Sequence, residues 1–319
     1  MLKNRVSKLK RKKTHPIRLT ARDGLILRAL HKYRYLTTDH IQTLTQTESR
    51  WGMNKRLRLL YDHKYVDRPK AQKAIFSHAD KRPTIYALGN KGASLLSNRY
   101  NIPIPSSVYW TEKNRRVREK HIEHTLGISD FMVGIEAMCK AAPHLYLIDQ
   151  DEILSRSPVQ TRRAKYPFRW QTQITYNGEH HNIAIVPDYV FGIRDGDKEK
   201  FYFVEIDRGT MPISRKNMTQ SSFMRKVLSY SDTFERGLAL NRFDMRGFQI
   251  LTVTTSQERI QNIQDVIADM PETSFSANTF LFKVKGDHQG RLPFHAGWQN
   301  WKGYFVSTLF DESFPKYFD

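Results

Sequence analysis

Positive charge in this chain is confined to one part of it, and that asymmetry limits what it can fold into. Residues 1–120 carry 29 Lys and Arg against 8 Asp and Glu, a balance of +21, whereas residues 121–319 carry 23 against 24, a balance of −1. Two units of different character are therefore expected from the 319 residues, a basic front and a near-neutral back. The excess of +20 over the whole chain asks for a polyanionic partner. Concentrated in one unit, it favours nucleic acid over an anionic membrane surface. Cys139 is the only cysteine, which excludes an internal disulfide framework and a zinc site built on several thiolates, and fits a reducing, cytoplasmic setting. No apolar run has the length of a bilayer span, and no apolar signal core follows the basic N-terminus. A cytoplasmic protein with no membrane partner is the expectation.

Along the chain, residues 1–17 read as a basic flexible arm, with seven Lys and Arg among the first 13. Such an arm adds salt-dependent phosphate contacts without reading sequence. Residues 18–100 read as a folded unit. Thr20 and Asp23 resemble a capping box opening a helix through Ile26, Leu27, Leu30 and Tyr33. A second start at Thr37 and Thr38 leads through Ile41 and Leu44, and a third helix is predicted from Arg50 to Lys64. Its Met53, Leu57 and Leu60 face inward, while Trp51, Asn54, Lys55 and Arg58 recur at helical spacing on another face. A two-stranded hairpin is expected within Tyr65–Leu88, its loop carrying Lys70, Lys73, Lys81 and Arg82, before a last helix from Gly89 and Gly92. Three helices followed by a basic hairpin form a winged helix-turn-helix. Its duplex-DNA contacts would be Arg50, Trp51, Asn54, Lys55 and Arg58 from the third helix, with Lys73, Lys81 and Arg82 from the wing. The bland alternative is a helical unit whose basic face is merely solvated.

Residues 101–120, with Pro103, Pro105, Ser106 and Ser107, read as a linker, and 121–319 as the second unit. A helix is expected over 117–140. Its His121 and His124 are one turn apart, open to a metal but read more readily as structural or phosphate-facing. The chemically informative stretch is Asn182–Asp207. An apolar strand is interrupted at Pro187-Asp188, a turn follows at 194–197, and a second strand ends in Phe203-Val-Glu205-Ile-Asp207. Strand side chains alternate, so Glu205 and Asp207 project together. With Asp188 beside them, three carboxylates would bind Mg²⁺ or Mn²⁺ and orient water at a scissile phosphate. This arrangement resembles the restriction-endonuclease-like PD-(D/E)XK pattern. Asp207 stands where that pattern has Lys, so the cation would come from Lys226, one turn before Tyr230, or from Lys216. The alternative is that the acids pair with Arg208 or Arg225. Further on, Phe248–Thr254 reads as a strand, Gln257–Met270 as a helix and Phe280–Val284 as a late strand. Trp298, Trp301, Tyr304 and Phe305 read as an aromatic cap on the core, or as a surface stacking on bases.

Taken in order, the helix-turn-helix start, Tyr86-Ala-Leu88 with Gly92, His124-Thr-Leu-Gly, Pro187-Asp188, Glu205-Ile-Asp-Arg-Gly-Thr210 and Lys226-Val-Leu-Ser-Tyr230 resemble the replication-relaxation family of plasmids and other mobile elements. The resemblance covers roughly residues 18–240. It implies a winged helix joined to a restriction-endonuclease-like mixed-sheet domain, an α+β or α/β chain, with Asp188, Glu205, Asp207 and Lys226 matching the family's polar motif. The leading expectation is a duplex-DNA-binding protein that nicks or cleaves DNA with a divalent metal during replication or mobilisation. Its partners would be DNA, a second copy of the chain, and other replication, mobilisation or recombination proteins. The rival is a non-catalytic replication or transcription regulator whose nuclease-like domain serves dimerisation or partner binding. A relaxase acting through a covalent Tyr230 ranks third, since His180 and His181 are adjacent and would face opposite ways on a strand.

Overall fold

The computed structural model describes residues 9–12, 16–72, 83–105, 107–270, 275–286 and 297–306. The chain is mixed α and β, with eleven helices among the described residues. It divides into two compact units, Met1–Ala137 and Met138–Asp319.

In the first unit, α1 (Ala21–Tyr33) starts at the expected capping box, Thr20 and Asp23 each bonding the other's backbone amide. Ile26, Leu27, Leu30 and Tyr33 are buried. β1 (Tyr35–Thr37) leads into α2 (Thr38–Thr45), which Thr37 caps through the His40 amide. Ser49 caps α3 (Arg50–Asp62), whose Met53, Leu57 and Leu60 point into the core as their spacing predicts. β2 (Val66–Asp67) and β3 (Ile85–Leu88) pair antiparallel as the expected hairpin strands. The pairing of β3 with β1, which makes a three-stranded sheet of order β1-β3-β2, was not legible in the pattern. α4 (Asn90–Tyr100) follows. Gly92 has to be glycine, because a Cβ there would stand 2.2 Å from the Tyr65 carbonyl oxygen.

Two segments assigned by sequence to the linker and the back fold onto the front. α5 (Trp110–Arg116) buries Asn114, which donates to the Leu88 carbonyl at 2.9 Å. In α6 (Glu119–Ala141), Ile122 packs in a cluster with Tyr35, Ile85 and Ala87, and the Ser129 hydroxyl donates to the Tyr35 carbonyl at 2.8 Å. Glu136 accepts from Lys32 at 2.7 Å and from the Tyr33 hydroxyl at 2.5 Å. The unit boundary therefore falls inside α6, after Ala137, and not at residue 120. Part of the basic arm is also docked. Lys12 donates its amide to Asp62 at 2.9 Å, Arg58 and Tyr61 donate to the Lys10 and Leu9 carbonyls, both at 2.6 Å, and Arg11 pairs with Asp67.

The second unit is built on a seven-stranded mixed sheet whose strands, from one edge to the other, are Phe305–Val306, Trp298–Asn300, Phe280–Val284, Gln249–Thr254, Lys198–Ile206, Tyr189–Asp195 and Leu145–Ile148. β4 (Leu145–Ile148) is followed by the short helices α7 (Gln150–Arg156) and α8 (Val159–Arg163), and then by a separate hairpin of β5 (Trp170–Tyr176) and β6 (Glu179–Ile185). β7 (Tyr189–Asp195) and β8 (Lys198–Ile206) are antiparallel, and α9 (Phe223–Glu235) and α10 (Leu238–Phe243) then lead to β9 (Gln249–Thr254), parallel to β8. α11 (Gln257–Ala268) connects to the parallel β10 (Phe280–Val284), and β11 (Trp298–Asn300) and β12 (Phe305–Val306) close the edge antiparallel. Phe203, Ile250 and Phe280 lie in register on one face and pack with Val227 and Tyr230 of α9 and Ile260, Ile263 and Ile267 of α11. The late aromatics divide: Trp298 is fully buried and Trp301 packs on the core, while Tyr304 and Phe305 are exposed.

The first unit's clearest internal electrostatic dependence is Asp23, wholly buried and ion-paired to Arg56 of α3. Burial opposes its charge, but the Arg56 guanidinium and the Thr20 amide hold its carboxyl below the usual range. A depressed folded-state pKa gives stability above the ordinary carboxylate pKa of about 4 that is lost as pH falls through the folded value. Asp23→Asn is expected to cost roughly 3 kcal/mol in urea unfolding at neutral pH and to flatten the acid limb of the stability profile.

Candidate functional site

The sequence-predicted acids lie where β7 begins and β8 ends. The Asp188 amide donates to the Val204 carbonyl at 3.0 Å, extending the ladder by one residue, and one Asp188 carboxylate oxygen accepts from the Ile206 amide at 2.8 Å. Its carboxylate is thus fastened to the residue next to Glu205. Glu205 projects from β8 onto the helix-covered face, in register with Thr252 of β9, and is 1% exposed.

Both Glu205 oxygens are engaged from α9. Ser222 caps that helix by accepting from the Arg225 amide at 3.2 Å, which sets its start. Lys226, one turn in, bonds Oε2 of Glu205, and the Tyr230 hydroxyl, one turn further, donates to Oε1 at 2.6 Å. Burial pushes the Glu205 carboxyl up to about 7 against the opposing charge of Lys226, with Asp188 adding to the rise. Burial opposes the Lys226 ammonium, but the charges of Glu205 and Asp188 outweigh it and raise its pKa. The Tyr230 hydroxyl is held well above its ordinary pKa by burial and then by the charge of Glu205. Fully enclosed and donating to a carboxylate, it is poorly placed to attack a phosphate.

Asp207 is on the same side, as alternation requires, but in different company. Its Oδ2 accepts from the Thr254 hydroxyl at 2.7 Å and from Arg259 Nε at 2.8 Å, and its Oδ1 from Arg259 Nη2 at 3.3 Å and the Gly209 amide at 3.2 Å. Gly209 has φ +69°, so Asp207 holds the turn that the Asp-Arg-Gly string encodes. Arg259 and Thr254 were missed by sequence reasoning, being 52 and 47 residues away with no spacing signal. Of the alternatives weighed from sequence, Lys216 is exposed, and Arg225 donates to the Met218 and Thr219 carbonyls and the Ser221 hydroxyl. The three carboxylates are therefore not one donor set, and among the described residues no group of three or more His, Cys, Asp or Glu is arranged to hold a metal.

On α3 of the first unit, Trp51 is 73% exposed with the Lys55 ammonium 5.0 Å from its ring centre. Asn54 is exposed and accepts from the Thr38 hydroxyl at 3.1 Å, fixing its orientation against α2. Arg50 pairs with Asp39 at 2.6 Å in solvent. Arg58 is drawn away to Asp62 at 2.9 Å and to the docked arm. Lys73, Lys81 and Arg82 lie outside the described residues.

A protein-family model described as replication-relaxation matches residues 27–245, more than two thirds of the chain. Comparisons with curated proteins and with solved structures return no match.

Lys226→Met would leave a buried carboxylate without its cation and is expected to destabilise the second unit by roughly 2–3 kcal/mol in urea unfolding. Glu205→Gln in the same chain should recover much of that loss. A single Lys226→Met variant as stable as the parent would show that the pair does not hold the site.

Proposed function

The chain belongs to the replication-relaxation family, and we propose that it is a duplex-DNA-binding protein of a plasmid or other mobile element that acts on a phosphodiester bond during replication or mobilisation. The observation that carries this reading is the Asp188–Glu205–Lys226 cluster around the buried Glu205: two carboxylates at adjoining strand ends with a half-buried cation reaching Glu205 from the next helix. Stabilising an isolated structural acid would not call for a second carboxylate beside it, since that adds repulsion. Placing Pro187-Asp188 at the head of one strand and Glu205 near the tail of its neighbour supports the restriction-endonuclease-like reading of the second unit. Three helices with a small antiparallel sheet, and an exposed Trp51, Asn54 and Lys55 on α3, support the winged-helix reading of the first.

With Asp207 taken up by Arg259, a divalent ion would be held by Asp188 and Glu205. Two carboxylates suit Mg²⁺ or Mn²⁺, which keep several waters. When bound, such an ion neutralises phosphate charge and makes water a better nucleophile. The chain's own groups then divide the remaining tasks. The Ile206 amide keeps Asp188 oriented, Tyr230 fixes the rotamer of Glu205, and Lys226 is the group placed to meet negative charge growing on the phosphate. The specific observation favouring the non-catalytic reading is that Lys226 and Tyr230 already occupy both Glu205 oxygens. In that reading the second unit is a scaffold for a second copy or another replication, mobilisation or recombination protein.

Incubating the full chain with supercoiled plasmid carrying its element's origin, and Mg²⁺ or Mn²⁺, separates the two. Nicking that disappears in both Asp188→Asn and Glu205→Gln is expected, and no cutting of any plasmid form would leave the scaffold reading. For the first unit, Trp51→Ala should weaken duplex binding about tenfold, and Lys55→Gln should lower the slope of log affinity against log salt by about 1. Unchanged binding in both would remove α3 from the DNA face.

A further inference from the structure

In the first unit, Arg34, Tyr109, Glu112, Lys113, Arg116 and His121 help to line an open cleft of about 510 Å³. Arg34 and Lys113 meet over the same indole, at 5.6 and 5.4 Å from the Trp110 ring centre. Arg34 also stands 5.1 Å over the ring of Tyr35, against which His121 sets its own ring edge-on at 6.3 Å. Among the described residues, Arg34, Lys113 and Arg116 make no ion pair, and Glu112 is the sole carboxylate of the lining. Such a gathering of cations is self-repelling. The Lys113 ammonium is pulled below its ordinary pKa by burial and then by Arg34, and His121 by burial and then by Arg34, His124 and Lys113. Beneath them Tyr35 is wholly buried.

The backbone gives a second, independent observation. Arg34 closes α1 at φ 66° and ψ −53°, its amide donating to the Leu30 carbonyl at 3.1 Å. This is the rare γ-turn region, strained for any residue with a Cβ. Glycine would close the helix there without strain. The arginine that stands there instead lines the cleft.

We propose that this cleft binds a phosphate group through Arg34, Lys113 and Arg116, with the exposed Tyr109 at its rim placed to stack on an attached base or sugar. The phosphate could be carried by a DNA backbone or by a free nucleotide, and the chemistry of recognition is the same. The assignment goes beyond the reading of α3 and does not require it.

Titration of the full chain with inorganic phosphate, followed by calorimetry or NMR, tests it. Arg34→Gly and Arg116→Gln are each expected to weaken phosphate binding about tenfold, with Tm unchanged or raised in Arg34→Gly as the strain is relieved. Phosphate affinity unchanged in both variants overturns the proposal, as does an Arg34→Gly variant that loses Tm while still binding phosphate. Two further probes identify the source. Duplex affinity that falls in these variants, with a mononucleotide binding no tighter than phosphate, assigns the site to the DNA backbone. A mononucleotide at least tenfold tighter than phosphate, with duplex affinity retained, assigns it to a nucleotide. Because inorganic phosphate is the first probe, the result is read whether or not Trp51 and Lys55 contact DNA.

Discussion

Removing a carboxylate from water costs several kcal/mol unless a cation and hydrogen-bond donors go with it, and the second unit is organised around that demand at Glu205. The row of β-sheet side chains before it is apolar, Phe203, Ile250 and Phe280 in register, and the next row holds Glu205 with Thr252 and Phe282. Keeping the charge there requires α9 to present Lys226 and Tyr230 one turn apart on the same side. That in turn requires the helix to start at the Ser222 cap. A shift of α9 by one residue would rotate both groups off the carboxylate by about 100°. The packing of α9 is held independently by Trp170 Nε1 donating to Thr233 at 2.9 Å and the Gln173 amide donating to Asp232 at 2.9 Å. The hairpin of β5 and β6 therefore fixes the helix that fixes the cluster.

The carboxylate two residues on is solved in another way. Asp207 has a bidentate arginine, a hydroxyl and a backbone amide, which is the set of donors a structural acid needs. Glu205 has one lysine, one tyrosine and a second carboxylate close enough to raise its pKa. Two acids two residues apart at the end of one strand thus end in different company. The cation beside Glu205 comes from Lys226 of α9, while Asp207 holds a turn.

How much of this could be read from the sequence follows from how local each signal is. The helix starts at Thr20 and Thr37, the inward Met53, Leu57 and Leu60, and the strands carrying Val190 and Phe203 all rest on residues within one or two turns of each other. Lys226 with Tyr230 was legible for the same reason, as an i, i+4 pair. The partners that hold the buried acids and join the strands are distant. Arg259 reaches Asp207 across 52 residues, Arg56 reaches Asp23 across 33, and the β1 to β3 pairing joins segments 50 residues apart. Composition misplaced the unit boundary because Pro103, Pro105 and two serines look like a linker. What holds α5 and α6 to the front is single contacts, such as Asn114 to the Leu88 carbonyl and Ser129 to the Tyr35 carbonyl. Arg34 gave no signal at all, since its strain is a property of φ and ψ and not of the residue pattern.

Moving the boundary to Ala137 also changes what the charge asymmetry means. Residues 121–137 contribute Glu123, Asp130 and Glu136 and no Lys or Arg, so the first unit's balance becomes +18 and the second's +2. Two of those acids answer to cationic or titratable groups of the front: Glu136 to Lys32, and Asp130 to His40 at 2.6 Å. Asp23, Asp62 and Asp67 likewise hold Arg56, Arg58 and Arg11. The cations so engaged fasten helices, strands and the arm to one another. Lys55 beside Trp51, and Arg34, Lys113 and Arg116 in the cleft, are among the first unit's cations that have no carboxylate partner among the described residues. Net charge makes the first unit the better match for a polyanion, and the proposed contacts on α3 and in the cleft use cations that the fold does not spend on its own acids.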